Sequence, residues 1–177
     1  APEEATVNGV ITSITRYKSD TEDKLVTFSS DGLIWKDAKG TSHGQWSCFP
    51  DSNQLSGKII KTAADSSNLY VVTITFHEDV EDGLNEPDAA TLWYYDNNNK
   101  KWSEVSTPEL LPSHFNIFCT NDVDINNRSA YLRIDNKVYE LNGKTFNETN
   151  PTEGNYNSVV SGGNSSDIFF ESTASVK

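Results

Sequence analysis

Basic residues are scarce in this chain of 177 residues: 14 Lys and Arg face 26 Asp and Glu, for a formal net charge of −12. A surface this acidic repels phosphate backbones and anionic lipid, so nucleic acid is not expected as a partner. Long apolar runs are missing as well. None approaches the roughly 20 residues that a bilayer-crossing helix requires, so membrane insertion is not expected. No basic stretch followed by an apolar one is present, so no signal peptide is read in the chain. Methionine is absent, and the chain begins Ala1-Pro2-Glu3-Glu4. It reads as a processed or trimmed product, with secretion or a cell-surface location as the expectation.

Cysteine is limited to Cys48 and Cys119, both in strand-like contexts. A secretory setting predicts a disulfide between them, worth roughly 4 kcal/mol if chain entropy sets its value. Two buried thiols that never meet are the alternative. Asn127, Asn147 and Asn164 each open an Asn-x-Ser/Thr sequon and are the candidate glycosylation sites.

Helical periodicity is almost absent. What the chain has instead is aromatic residues, 11% of the total, and short β-branched or aromatic runs bounded by Asn, Asp and Gly. Strands are predicted at 10–17, 24–28, 33–36, 45–48, 58–62, 69–76, 91–95, 101–105, 116–120, 130–134, 137–141, 145–147, 156–160 and 167–171. A repeat organises them. The segment Tyr95 to Val105 recurs without a gap as Tyr139 to Thr149, 44 residues later, with Trp102 answered by Phe146 and Glu104 by Glu148. A period near 44 residues is that of one four-stranded propeller blade. The expected fold is therefore all-β: one domain over residues 1–177, a propeller-like array of about three to four antiparallel units. The units run from Val10 to Phe49, Ser56 to Val105, His114 to Thr149 and Tyr156 to Val176. A β-sandwich is the alternative. The short last unit leaves two options: the N-terminal strand completes it and closes a small ring, or the array belongs to a larger propeller completed by a further chain or by oligomerisation.

Three motifs carry a resemblance. Tyr94-Tyr95-Asp96-Asn97-Asn98-Asn99-Lys100-Lys101-Trp102 resembles the second half of a kelch blade, and Gly162-Gly163 is the one Gly pair of the kind that opens such blades. Ser29-Ser30-Asp31-Gly32-Leu33-Ile34-Trp35 is similar to the Asp-box turn of sialidase-type propellers. The alternation of Asp-Gly turns with Trp is similar to fucose-binding lectin propellers. These resemblances imply a propeller fold, and the last implies a sugar ligand.

Candidate ligand-binding residues are Trp35, Trp93, Tyr94, Tyr95 and Asp96, since aromatic faces stack on sugar rings and carboxylates bind hydroxyls. The competing reading makes these aromatics filling between sheets. The acidic loop from His77 to Asp88 offers Asp79, Glu81 and Asp82 to calcium, or serves as a protein contact. Asp122, Asp124 and Asn126 alternate like the start of a second calcium loop. Calcium is the one cofactor these loops suggest.

No catalytic residue is assigned. His43, His77 and His114 lack zinc spacing, and no nucleophile elbow or phosphate-cradling loop is present. Sialidase-type chemistry would need Arg16, Arg128 and Arg133, the only three arginines, to converge. The expected function is non-catalytic recognition outside the cell, with a glycan as the first ligand class. An extracellular protein held by the acidic loop, or a structural propeller, is the second reading. An Asp-box-type glycosidase is the third.

Overall fold

The computed structural model describes residues 14–29, 32–39, 45–119, 128–149, 156–161 and 168–172. Strands follow one another as antiparallel meanders. The first sheet holds β1 (Thr15–Lys18), β2 (Asp23–Ser29), β3 (Gly32–Asp37) and β4 (Ser47–Cys48), in that order. The second holds β5 (Lys58–Ala64), β6 (Leu69–Ile74), β9 (Thr91–Asp96) and β10 (Lys101–Glu104). A small hairpin, β7 (Phe76–Glu78) with β8 (Asn85–Pro87), is inserted between its second and third strands. The third sheet holds β11 (Phe115–Cys119), β12 (Ala130–Ile134), β13 (Lys137–Asn142) and β14 (Thr145–Thr149). β15 (Tyr156–Ser161) and β16 (Ile168–Ser172) pair as a two-stranded sheet.

The all-β expectation is met, and the sheets fall on the four predicted units. The acidic loop is the exception. Its hairpin was not foreseen, and it ends the predicted strand 69–76 early: β6 stops at Ile74 and Phe76 belongs to β7.

Burial explains how the sheets sit together. In β6 every residue is buried, so its sequence Leu-Tyr-Val-Val-Thr-Ile reads as a continuous apolar run instead of an alternation. Alternation still sorts its side chains to two sides. Leu69 and Val71 join Tyr17, Val26, Leu33, Phe49, Trp93, Tyr95 and Trp102 in a core between the first and second sheets. Tyr70 and Val72 join Leu92, Ile117, Ala130, Leu132 and Leu141 in a separate core between the second and third. The middle sheet is covered on both faces. A two-sheet sandwich has a single core, so three stacked sheets replace that alternative among the described residues.

The stacking sets β5, the first strand of the second sheet, against the first strands of its neighbours, β1 and β11. Polar side chains tie them. The hydroxyls of Thr15 and Thr62 lie 2.7 Å apart, linking β1 to β5. Lys61 Nζ donates to Asn116 Oδ1 at 2.6 Å, linking β5 to β11. Burial pushes the Lys61 ammonium below the ordinary lysine range.

The 44-residue repeat is structural. Tyr95 meets Trp102 with ring centroids 5.0 Å apart, and Tyr139 meets Phe146 at 5.1 Å. Each pair sits on the β-hairpin that closes its sheet. The turns differ, however. Asp96 pairs with Lys101 across a four-residue loop, whereas Asn142 pairs with Thr145 across Gly143 and Lys144 alone. Trp102 therefore opposes Tyr95, and Phe146 opposes Leu141.

The disulfide expectation is corrected: Cys48 and Cys119 are both free. Topology keeps them apart. Cys48 lies on β4, the outer edge of the first sheet, while Cys119 lies on β11, at the convergent edge of the third.

Candidate functional site

Of the aromatic residues predicted to hold a ligand, Trp93 and Tyr95 lie in the core, while Trp35 and Tyr94 are half-buried. Tyr95 is buried between the first two sheets, and burial pushes its phenol up to about 12. Trp93 is buried beside it and donates its Nε1–H to Thr73 Oγ1 at 2.8 Å. Trp35 is half-buried, 4.4 Å from Phe49, with Lys24 Nζ 4.8 Å from its ring centre. Tyr94 points to the other face of β9, against the second core and Tyr70. The ladder alternation thus distributes the set over two cores. A sugar needs an open ring face, and neither Trp93 nor Tyr95 has one. Asp96 caps its own turn: Oδ1 accepts from the backbone of Asn98 and Asn99, and Oδ2 from the Asn99 side chain at 2.7 Å. The Asn99 amide holds the Asp96 carboxyl below its usual range.

The first calcium candidates are also engaged. Asp79 Oδ1 accepts from Glu81 N at 2.7 Å and Asp82 Oδ1 from Leu84 N at 2.9 Å, so both shape the hairpin tip. Among the described residues no group of His, Cys, Asp and Glu is arranged to hold a metal ion. Asp122, Asp124, Asn126, Asn127 and Asn164 lie outside the described residues. Asn147 is exposed on β14.

The three arginines spend their guanidinium groups on separate partners. Arg16 forks onto both oxygens of Asp23, each at 2.9 Å, and its bonds hold that carboxyl below the ordinary range. Arg133 donates to Asp135 O at 2.8 Å. Arg128 instead bridges sheets. Its Nη2 donates to Arg16 O of the first sheet and, at 3.3 Å, to Asp65 O of the second.

Arg128 also lines an open cleft of about 290 Å³. It is lined as well by the turn between β5 and β6, Asp65-Ser66-Ser67-Asn68, and by β13 and β14 through Glu140, Asn142 and Asn147. The turn folds on one carboxylate. Asp65 Oδ1 accepts from the backbone of Ser67 at 2.9 Å and of Asn68 at 2.6 Å, the pattern that lets an Asx residue close a tight turn. Asp65 Oδ2 accepts from the Tyr70 hydroxyl at 3.0 Å. That hydroxyl in turn accepts from Gly143 N at 2.7 Å. The relay Asp65–Tyr70–Gly143 pins the two turns that flank the cleft. Burial, with the Asp65 charge behind it, pushes the Tyr70 phenol far above its usual range, so it stays a neutral donor.

Burial also lowers the Arg128 pKa. Its Nε–H is buried and meets no acceptor among the described residues. The cleft therefore combines hydroxyl, amide and carboxylate groups with the Arg128 side chain, on a frame fixed by the relay. Such groups can hydrogen-bond several hydroxyls of one ligand. Sequence reading missed this site. Its signal was the small polar run Asp65 to Asn68 between two apolar strands, which reads as any turn does until the third sheet is placed beside it.

No protein-family model matches the chain, and no curated protein or solved structure matches it either. The class rests on architecture: an all-β protein of stacked four-stranded antiparallel sheets with a polar cleft between the second and third.

Proposed function

We propose that the chain is a non-catalytic recognition module of the cell exterior, built as part of a propeller-like array, and that its ligand is a carbohydrate bound in the polar cleft. The observation that carries this reading is the cleft's lining. Ser66, Ser67, Asn68, Glu140, Asn142 and Asn147 offer donors and acceptors at a polyol's scale, beside the Arg128 side chain. Binding sites that read hydroxyls use such convergent polar groups for specificity. The propeller reading draws on the meander order of each sheet and on the contacts that β5 makes with β1 and β11. Catalysis is not part of the proposal. Of the two carboxylates that line the cleft among the described residues, Asp65 is spent on closing its turn, and Glu140 is the other.

A glycan-array screen of the chain beside the doubly substituted Glu140→Gln, Asn142→Ala tests the reading. Both residues are exposed, so the fold should survive. Selective binding that falls about ten-fold or more in the double variant supports the cleft, since lost hydrogen bonds to charged and amide groups each contribute about 1–3 kcal/mol. A blank array with folded protein, or binding that ignores both substitutions, removes the proposal.

A further inference from the structure

The β7–β8 hairpin is held at its base and free at its tip. Thr75 Oγ1 donates to Asp88 Oδ2 at 2.7 Å, His77 Nδ1 lies 2.8 Å from Asp88 Oδ1, and Asp88 N donates to Thr75 O at 2.9 Å. The Thr75 and His77 bonds hold the Asp88 carboxyl below its ordinary range. Three cross-strand pairs follow, Phe76 with Pro87, His77 with Glu86 and Glu78 with Asn85. The tip closes through Asp79 N to Leu84 O and Gly83 N to Asp79 O, with Gly83 at φ 71°. These bonds shape the arm, but no core supports it.

Its apolar residues face water. Val80 is 100% exposed, Leu84 63% and Phe76 50%. A two-stranded hairpin gains little stability unless a hydrophobic face is covered. Here Phe76, Val80 and Leu84 contribute nothing to either core. Around them stand Glu78, Asp79, Glu81, Asp82, Glu86 and Asp88, with no Lys or Arg from Thr75 to Asp88. Apolar anchors ringed by charge of one sign have the composition of a contact surface, with a buried centre and a steering rim.

We infer that this hairpin is a docking arm for a protein partner that presents an apolar pocket rimmed by Lys and Arg. Charge selects this occupant. A second copy of the chain would bring another net charge of −12 to a wholly acidic arm. An anionic lipid surface would meet the same repulsion. The arm shares no lining residue with the cleft, so the inference stands independently of the carbohydrate proposal.

The test pans a phage library of random dodecapeptides on the intact chain. Recovered peptides are then measured on two variants, Val80→Ser with Leu84→Ser, and Glu81→Lys with Glu86→Lys. All four positions are exposed, and none makes a side-chain bond that closes the tip, so circular dichroism should be unchanged. The inference expects peptides that combine Lys or Arg with aromatic or aliphatic residues. Their affinity should drop about ten-fold or more on each variant, the scale of losing an anchor or a complementary rim. It should also weaken as salt rises. No enrichment, peptides without basic residues, or equal affinity for wild type and variants would overturn it. So would self-association in sedimentation that the Val80→Ser, Leu84→Ser variant abolishes, because the occupant would then be a second copy.

Discussion

Phe49→Ala should lower stability by about 3–5 kcal/mol, the range for emptying a buried aromatic site. Phe49 follows β4 and is 2% exposed. Its backbone N–H donates to Leu33 O at 2.9 Å, which fixes the ring under the first sheet. From there it reaches Trp35 at 4.4 Å, Tyr95 at 4.9 Å and Trp102 at 5.6 Å between ring centroids. It meets Trp35, Trp102 and Tyr95 together, which no other aromatic does among the described residues. Alanine would leave a cavity that three rigid rings close poorly, and the first sheet would lose its main hold on the second. Urea unfolding should show a lower midpoint with an unchanged slope. A loss below about 1 kcal/mol would mean that the first core is not packed as described.

Gly57→Ala is expected to be nearly as damaging, for a different reason. Gly57 sits at φ +86°, and a Cβ built there would lie 2.7 Å from Ile74 O and 3.0 Å from Ile74 C. Those are backbone atoms of the strand that pairs with the next residue, Lys58 opposite Ile74. Neither can step aside without parting β5 from β6. Backbone strain and overpacking together predict a loss on the order of 2–4 kcal/mol. Gly143→Ala is the control. It has a positive φ of 60° too, but its nearest neighbour would be the Tyr94 ring at 3.6 Å, an ordinary contact. It should lose only about 1–2 kcal/mol, the left-handed penalty alone. Equal losses at the two glycines would show that the close approach to Ile74 is not there.

The strands were legible because each is short, apolar or β-branched, and bounded by turn residues. Leu69 to Ile74 was the clearest, since six buried residues in a row announce a strand covered on both faces. The repeat was legible too, because Trp102 and Phe146 do the same job on equivalent hairpins. Its register was not. Equal spacing in sequence conceals a four-residue turn in one hairpin and a two-residue turn in the other. The hairpin of the acidic loop stayed hidden because Phe76, Val80 and Leu84 are too few and too widely spaced among acids to form an alternating pattern.

The candidate site was the least legible part. Trp93, Tyr94 and Tyr95 are residue types that bind sugars and residue types that fill cores, and only the placement of neighbouring sheets separates the two roles. Asp65, Arg128 and Gly143 are far apart in the chain and meet through Tyr70 and the stacking of sheets. Cys48 and Cys119 failed as a pair for the same kind of reason. Their spacing permitted a bridge, but inner and outer strand positions did not.

Everything assigned to the aromatics, the cleft and the hairpin depends on the middle sheet being covered on both faces. Amide hydrogen exchange measures that directly. Residues Leu69 to Ile74 of β6 and Leu92 to Tyr95 of β9 should be the slowest to exchange, opening only with global unfolding, while Phe76 to Pro87 exchanges far faster. Rapid exchange in β6, comparable to the hairpin, would contradict the stacked arrangement and return Trp93 and Tyr95 to the surface as ligand-binding residues.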